Sequence, residues 1–285
     1  MGTTVVGCGL MGSALARAIA KGGEAVTVWN RTPARAEALV GENILMQPEI
    51  VDAISDNQLV VVCTATYETS WKSLEPVADF AGKSVVNLTT GTPPLSTRFE
   101  QWVKERGGRY LDGMILAYPE AIGALETEIL VAGDPAVWAD NEETLKHIGG
   151  RARHISADVK SPNVLDVALS GSFYMSAMAA FDESVAYTID QGVRPVELVG
   201  LRGTILKLLS EQMVGAADAA ENDTYGTDQA TLDIFSSSAQ TFLGALRSAG
   251  QRAHLLTAAC ENMEAARAAG HGGLGFHSQV KIAKR

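Results

Sequence analysis

Gly7, Gly9 and Gly12 stand in the run Gly-Cys-Gly-Leu-Met-Gly, directly after the stretch Thr3-Thr4-Val5-Val6. The residues that follow, Ser13 to Ile19, read as a helix. This G-x-G-x-x-G spacing between a strand and a helix is the arrangement that receives a dinucleotide. Gly7 would allow the tight turn, Gly9 would let a pyrophosphate approach the backbone, and Gly12 would let helix pack on strand. The free N–H groups of the helix start, at Leu10 and Met11, would face the phosphates.

A second group of residues bears on which dinucleotide. The strand Ala25 to Trp29 ends at Asn30-Arg31-Thr32. Chains that bind NAD usually place Asp or Glu there, to hold the ribose 2′-hydroxyl. Asn30 is neutral instead. Thr32 and Pro33 read as a helix N-cap and first helical residue. Arg31, Arg35, the Thr32 hydroxyl and that helix N-terminus form a cradle for a 2′-phosphate, so the predicted cofactor is NADP(H). A solvated basic turn is the plain alternative.

These residues need elements to position them, and the first part of the chain alternates strands and helices. Helices are predicted over Pro33–Val40, Thr69–Phe80 and Leu95–Arg106, and strands over Leu59–Cys63, Ser84–Leu88 and from Arg109. A last strand is read at Glu128–Ala132. Leu59-Val60-Val61-Val62-Cys63 is continuously apolar, as in a strand buried on both faces. The alternation argues for a doubly wound parallel sheet. Ligands bind outside the carboxyl ends of such strands, so Cys63, Thr64 and Thr90 are expected beside the cofactor. The character changes near Ser161-Pro162. Asn163 to Gln191 reads as one long helix, and no clear strand follows it. The expected domains are 1–160, which binds the dinucleotide, and 161–285, all helical. The tail from Gly270 is glycine-rich, then basic, and reads as partly mobile.

Composition sets limits. The chain has 285 residues, a formal net charge of −10 and 46% apolar residues. No basic block offsets the charge, so neither nucleic acid nor an anionic membrane is an expected partner. Cys8, Cys63 and Cys260 are odd in number and lie in apolar settings. They read as buried thiols of a reducing cytoplasm rather than as disulfides or metal ligands, and no metal site is expected. No apolar run is read as a membrane span, and no basic-then-apolar signal peptide opens the chain.

Further along, the chain resembles the β-hydroxyacid dehydrogenase superfamily, and within it the NADP-dependent imine reductases. The matching segments are Gly7 to Gly12, Val26 to Thr32, Asn87 to Pro93, Leu111-Asp112-Gly113 through Ala117-Tyr118-Pro119 to Gly123, Asp166 to Leu169 with Tyr174, and His271-Gly272. The resemblance implies an N-terminal Rossmann domain, a long interdomain helix and an all-helical C-terminal domain exchanged within a homodimer. It also implies reduction of imines or iminium ions, cyclic ones first. Hydroxyacid dehydrogenases carry a lysine on the interdomain helix. This helix has no lysine after Lys160, and by resemblance the lysine's place falls at Tyr174.

The residues of that helix fit such chemistry. Asp166 and Tyr174 are eight apart, which in an α-helix means about 80° around the axis and ~12 Å along it. A tyrosine leans toward the helix N-terminus, which narrows the gap, and Ser170 lies between them. A carboxylate would stabilise a cationic iminium, and a phenol would deliver or relay a proton. Asp166 and Tyr174 are therefore the candidate catalytic pair. Thr90, Tyr118 and Ser170 are the candidate substrate contacts. Each has a plainer reading: an Asp near a helix start is often a cap, and a Tyr is often core. By resemblance, reductive aminases have Asn where this chain has Thr90, and a Trp near Ile205–Leu208 that is missing here. Preformed imines fit this pattern better than coupling of a free ketone and amine. The alternatives are a β-hydroxyacid or short-chain alcohol dehydrogenase on the same fold, and a non-enzymatic NADP-binding protein.

Overall fold

The computed structural model describes residues 2–283 and divides into two compact units, with the break between Ser172 and Phe173. The first unit holds an eight-stranded sheet in the order β3-β2-β1-β4-β5-β6-β7-β8. Its strands are β1 (Thr3–Val6), β2 (Val26–Trp29), β3 (Ile44–Met46), β4 (Leu59–Val62), β5 (Ser84–Asn87), β6 (Arg109–Ile115), β7 (Ile129–Gly133) and β8 (Arg153–Ser156). The strands from β3 to β6 pair in parallel. The order reverses between β1 and β4, which opens a crevice at their carboxyl ends.

Side chains alternate between two buried layers. Val5, Val28, Val61, Val86 and Leu111 face one layer with Leu15, Ile19, Leu145 and Ile148. Val6, Val60, Val62, Val85 and Tyr110 face the other with Tyr67, Leu74, Phe99 and Val103. The first layer is covered by α1 (Leu10–Lys21) and α6 (Pro135–Ile148), the second by α4 (Tyr67–Leu74) and α5 (Pro93–Lys104). This unit also holds the short helices α2 (Pro33–Glu37) and α3 (Ile50–Ser55).

The sheet departs from the sequence reading at one edge. Glu128–Ala132 is not the last strand, because β8 follows it. Nor is the sheet wholly parallel, since β7 runs antiparallel to β6. The link from β6 to β7 contains one 3-10 turn, Pro119–Ala121, instead of a crossover helix. Without a crossover the chain returns in the opposite sense. The three-residue strand β3 and the helix α3 lie between two predicted elements and are too short to show a period.

The interdomain helix starts as α7 (Ser161–Asp166), passes through a π-helical stretch, Val167–Tyr174, and continues as α8 (Met175–Asp190). Over Ser161–Asp190 its mean hydropathy reaches 1.4 in an 18-residue window. By length and composition alone this one helix could cross a membrane, contrary to the reading of the sequence. A helix buried by other protein passes the same test.

The second unit continues with α9 (Pro195–Gly200), α10 (Arg202–Asn222), α11 (Leu232–Ser248) and α12 (His254–Ala266). Leu232, Leu243, Cys260 and Met263 form its core. Glu183 of α8 accepts from the N–H groups of His254 (3.1 Å) and Leu255 (3.4 Å), and so caps α12. The glycine-rich tail is built into this unit: Gly275 bridges to Thr231, and Phe276–Ile282 forms a 3-10 helix. Its last two residues, Lys284 and Arg285, lie outside the described residues.

Candidate functional site

Gly7, directly after β1, has φ at +102°, and a Cβ there would lie 2.2 Å from the Cys63 carbonyl. A Cβ on Gly12 would lie 1.9 Å from the Gly7 carbonyl. Both positions are closed to any side chain. Gly9 differs, because a Cβ there would meet no atom within 4 Å. Its backbone faces open space, where a pyrophosphate would approach. Gly9 is also the N-cap of α1 and has no side chain to satisfy the first-turn N–H groups of Leu10, Met11 and Gly12. Leu10 is 85% exposed, while the half-buried Met11 side chain packs on the core. These residues fit the pyrophosphate of a dinucleotide.

Asn30 has work inside the protein. Its Oδ1 accepts from the Cys8 N–H at 2.9 Å, and its Nδ2 donates to the Thr32 carbonyl at 2.9 Å. It ties the glycine turn to the end of β2. Thr32 is the N-cap of α2, as expected, but its hydroxyl makes no capping bond. That helix is only five residues long, shorter than predicted. Arg31, Thr32 and Arg35 are exposed, and neither guanidinium makes an ion pair among the described residues. Two unpaired cations beside a free hydroxyl can receive a phosphate dianion.

The carboxyl ends of β4 and β5 carry the remaining predicted cofactor contacts. The Thr64 N–H donates to Thr89 Oγ1 at 3.0 Å, and the Thr64 hydroxyl shares a hydrogen bond with Ser70 at 2.8 Å. Thr89 is buried in this network, while Thr90 beside it is exposed. The Cys63 side chain is buried and its thiol is pushed up to about 12 by desolvation. The Cys63 carbonyl lies against Gly7 at the start of the glycine turn. The Cys8 thiol is pushed up to about 11 for the same reason.

Asp166 lies six residues into the interdomain helix. The N-cap is Lys160, so Asp166 is not a cap. It is half-buried, and no ion pair of Asp166 occurs among the described residues. Ser170 is half-buried in the π-helical stretch. Tyr174 closes that stretch and belongs to the second unit, with 40% of its surface exposed. The π-helical bonding widens the turn over Val167–Tyr174, so the α-helical 100° per residue does not apply between Asp166 and Tyr174. Tyr118 lies in the β6–β7 link and is 69% exposed.

A buried polar cluster went unread in the sequence. Asp112, in the middle of β6, is fully buried. Its Oδ2 accepts from the Tyr67 hydroxyl at 2.5 Å and from the Tyr110 hydroxyl, with the Asn87 amide at 3.5 Å. Its Oδ1 accepts from Asn163 Nδ2 at 2.7 Å. Burial pushes the carboxyl up to about 7, against the pull of these four donors. Burial together with Asp112 raises both phenols well above their usual range. In the sequence Asp112 sits in an apolar strand, and that contradiction was the available signal.

Residues 3–157 match the NAD binding domain of 6-phosphogluconate dehydrogenase. Residues 158–285 match the C-terminal domain of NADPH-dependent reductive aminase-like proteins. An imine reductase from Pseudomonas sp. superposes with a TM-score of 0.94 at 31% identity, covering 99% of both chains. The chain belongs to the imine reductase family. A reductive aminase from Aspergillus terreus, solved with NADPH and ethyl levulinate, superposes with a TM-score of 0.93 at 28% identity, again over 99% of both chains. The NADPH-dependent reductive aminase of Aspergillus oryzae is 29% identical over 171 residues, which is 60% of this chain and 58% of that protein. The match therefore spans less than two thirds of that relative's length. As a member of the imine reductase family, the chain has the Rossmann sheet and helical C-terminal domain expected from its sequence. The stretch Ile205–Leu208 contains no tryptophan, and Ile205, Leu206 and Leu208 are exposed.

Proposed function

We propose that this chain is an NADPH-dependent oxidoreductase that reduces imines or iminium ions, cyclic ones first, to amines. One observation carries the reading: a member of the imine reductase family has Asp166 and Tyr174, and no lysine, on its interdomain helix. NADPH, when bound, supplies the hydride. Gly7, Gly9, Leu10, Met11 and Gly12 hold the pyrophosphate through backbone groups. Arg31, Thr32 and Arg35 hold the 2′-phosphate, while Asn30 braces the turn. The backbone of Cys63, with Thr64 and Thr90, lines the crevice beyond. Asp166 stabilises the positive charge on the substrate nitrogen, and Tyr174 delivers or relays the proton. Thr90, Tyr118 and Ser170 contact the substrate.

The working protein is a cytoplasmic homodimer with exchanged helical domains. Apolar side chains left open along the interdomain helix and α10, such as Met175, Met178, Ile205 and Val214, support a partner that covers them. Three buried, unpaired cysteines agree with a reducing compartment. The functional boundary is placed between residues 160 and 161, close to where the two family matches meet.

NADPH oxidation measured side by side against cyclic imines, simple ketones and hydroxyacids tests this reading. Turnover of cyclic imines well above the others is expected. Turnover of hydroxyacids or ketones alone would replace it with the dehydrogenase reading. Saturable NADPH binding with no turnover at all would leave a binding protein.

A further inference from the structure

We propose that Asp112 is a positioning residue for this reaction: through Asn163, its buried carboxylate holds the turn of the interdomain helix that carries Asp166. The proposal rests on the imine-reducing reading for the meaning of Asp166, and on the hydrogen-bonded cluster for the rest.

Asp112 lies within β6, held between Asn87 on one side and Ala132 on the other by the sheet register. It cannot shift without moving the sheet. Three elements send donors to it besides its own strand: α4 through Tyr67, β5 through Asn87 and α7 through Asn163. Tyr110 donates from β6 itself. Asn163 Nδ2 also reaches the Tyr67 hydroxyl at 3.3 Å, so the cluster closes on itself. The titratable groups facing Asp112 are the two phenols, and no cation pairs with it among the described residues.

Asn163 is buried and sits three residues before Asp166, on the same helix face. Holding its side chain therefore sets the rotation of the turn that presents Asp166. The hold depends on charge. Every partner of Asp112 donates, which suits an ionised acceptor, and hydrogen bonds to a charged group are about twice as strong as neutral ones. A protonated Asp112 must place its own proton among these donors, and the grip on Asn163 weakens. A cluster that only filled the core would not transmit that change to α7.

Hydrogen exchange over residues 161–170 and the pH profile of kcat test this in the whole protein. The kinetic substrate is an N-alkyl iminium, which carries its charge at every pH. In the wild type, protection of α7 should fall about tenfold from pH 8 to pH 6, with kcat falling alongside through an acid limb near 7. Asn163→Ala removes one donor to the ionised form. It should leave α7 poorly protected at both pH values, lower kcat across the range and flatten the acid limb, because the carboxylate no longer has a hold on the helix. NADPH affinity should stay within about twofold, because the cluster does not touch the glycine turn. Asp112→Asn, if it folds, should lose the limb altogether. α7 protection and an acid limb that are unchanged in Asn163→Ala would overturn the proposal. A wild type that turns over no imine, yet shows the pH-dependent protection and its loss in Asn163→Ala, would keep the positioning role and reject the functional reading.

Discussion

Gly9 and Gly12, two glycines of one turn with opposite surroundings, make the sharpest case at the scale of single residues. Gly12→Ala would drive a methyl group into the Gly7 carbonyl, so the turn must shift. It should lower the melting temperature and abolish NADPH binding together. Gly9→Ala adds its methyl group to open space and should leave the melting temperature within a degree or so, while weakening NADPH binding on the order of 10²-fold, because only the ligand meets the new group. Isothermal titration beside thermal melts would separate the two; equal melting losses would mean that Gly9 serves the fold. Arg31→Ala removes an unpaired cation from the end of β2. The NADPH Michaelis constant should rise more than tenfold, consistent with losing a charged hydrogen bond of about 1.5–3 kcal/mol, and that for NADH should hardly change. Equal losses for both cofactors would show that the arginine does not read the phosphate. Tyr174→Phe should cut reduction of neutral imines by roughly 10²–10⁴-fold and recover most of the rate on an N-alkyl iminium, which needs no proton. Asp166→Asn should stay impaired on both substrates if the carboxylate acts through its charge, as proposed. Unchanged turnover in both variants would move the chemistry elsewhere.

Among the elements, β6 carries a predicted pH signature. The unfolded Asp112 carboxyl releases its proton near 3.8, and the folded one near 7. Between those values the folded state binds more protons, so this group's contribution to stability falls as pH rises. The span corresponds to roughly 4 kcal/mol as an upper figure. Burial works in this direction for the whole fold, while the donors work the other way on the single bond to Asn163. Melting temperatures of the wild type should therefore drop more steeply from pH 5 to pH 8 than those of Asp112→Asn. Parallel curves would show that the carboxyl does not titrate in this range. Elsewhere the elements followed local rules: Asp134 caps α6 through the Ala136 N–H at 2.9 Å, and Thr66 caps α4 through the Thr69 N–H at 3.2 Å.

For the molecule as a whole, the open apolar surface of the interdomain helix and α10 sets the expectation. Met175 is 62% exposed and Val214 61% in a single chain. Exposed apolar side chains along these two helices are what the proposed second copy would cover. Light scattering at dilute concentration should find a dimer near twice 30.1 kDa. Activity should fall on dilution below the dimer dissociation constant. A 30.1 kDa particle that stays fully active would end the idea of exchanged domains.

The glycine spacing, the buried β-branched strands and the absent lysine were legible in the sequence because each acts locally. A turn needs its glycines within a few residues, and a strand shows its burial in its own composition. The edge of the sheet was not legible. β7 turns antiparallel because the link before it lacks a crossover helix, and β8 is identified only by pairing with β7. The π-helical stretch was equally hidden, since Val167–Tyr174 has an ordinary helical composition. Asp112 is the clearest case of what only the tertiary structure decided. Its donors come from positions 67, 87, 110 and 163, and no sequence period links them. A buried carboxyl is tolerated only when distant donors converge on it, and convergence is a property of packing rather than of sequence spacing.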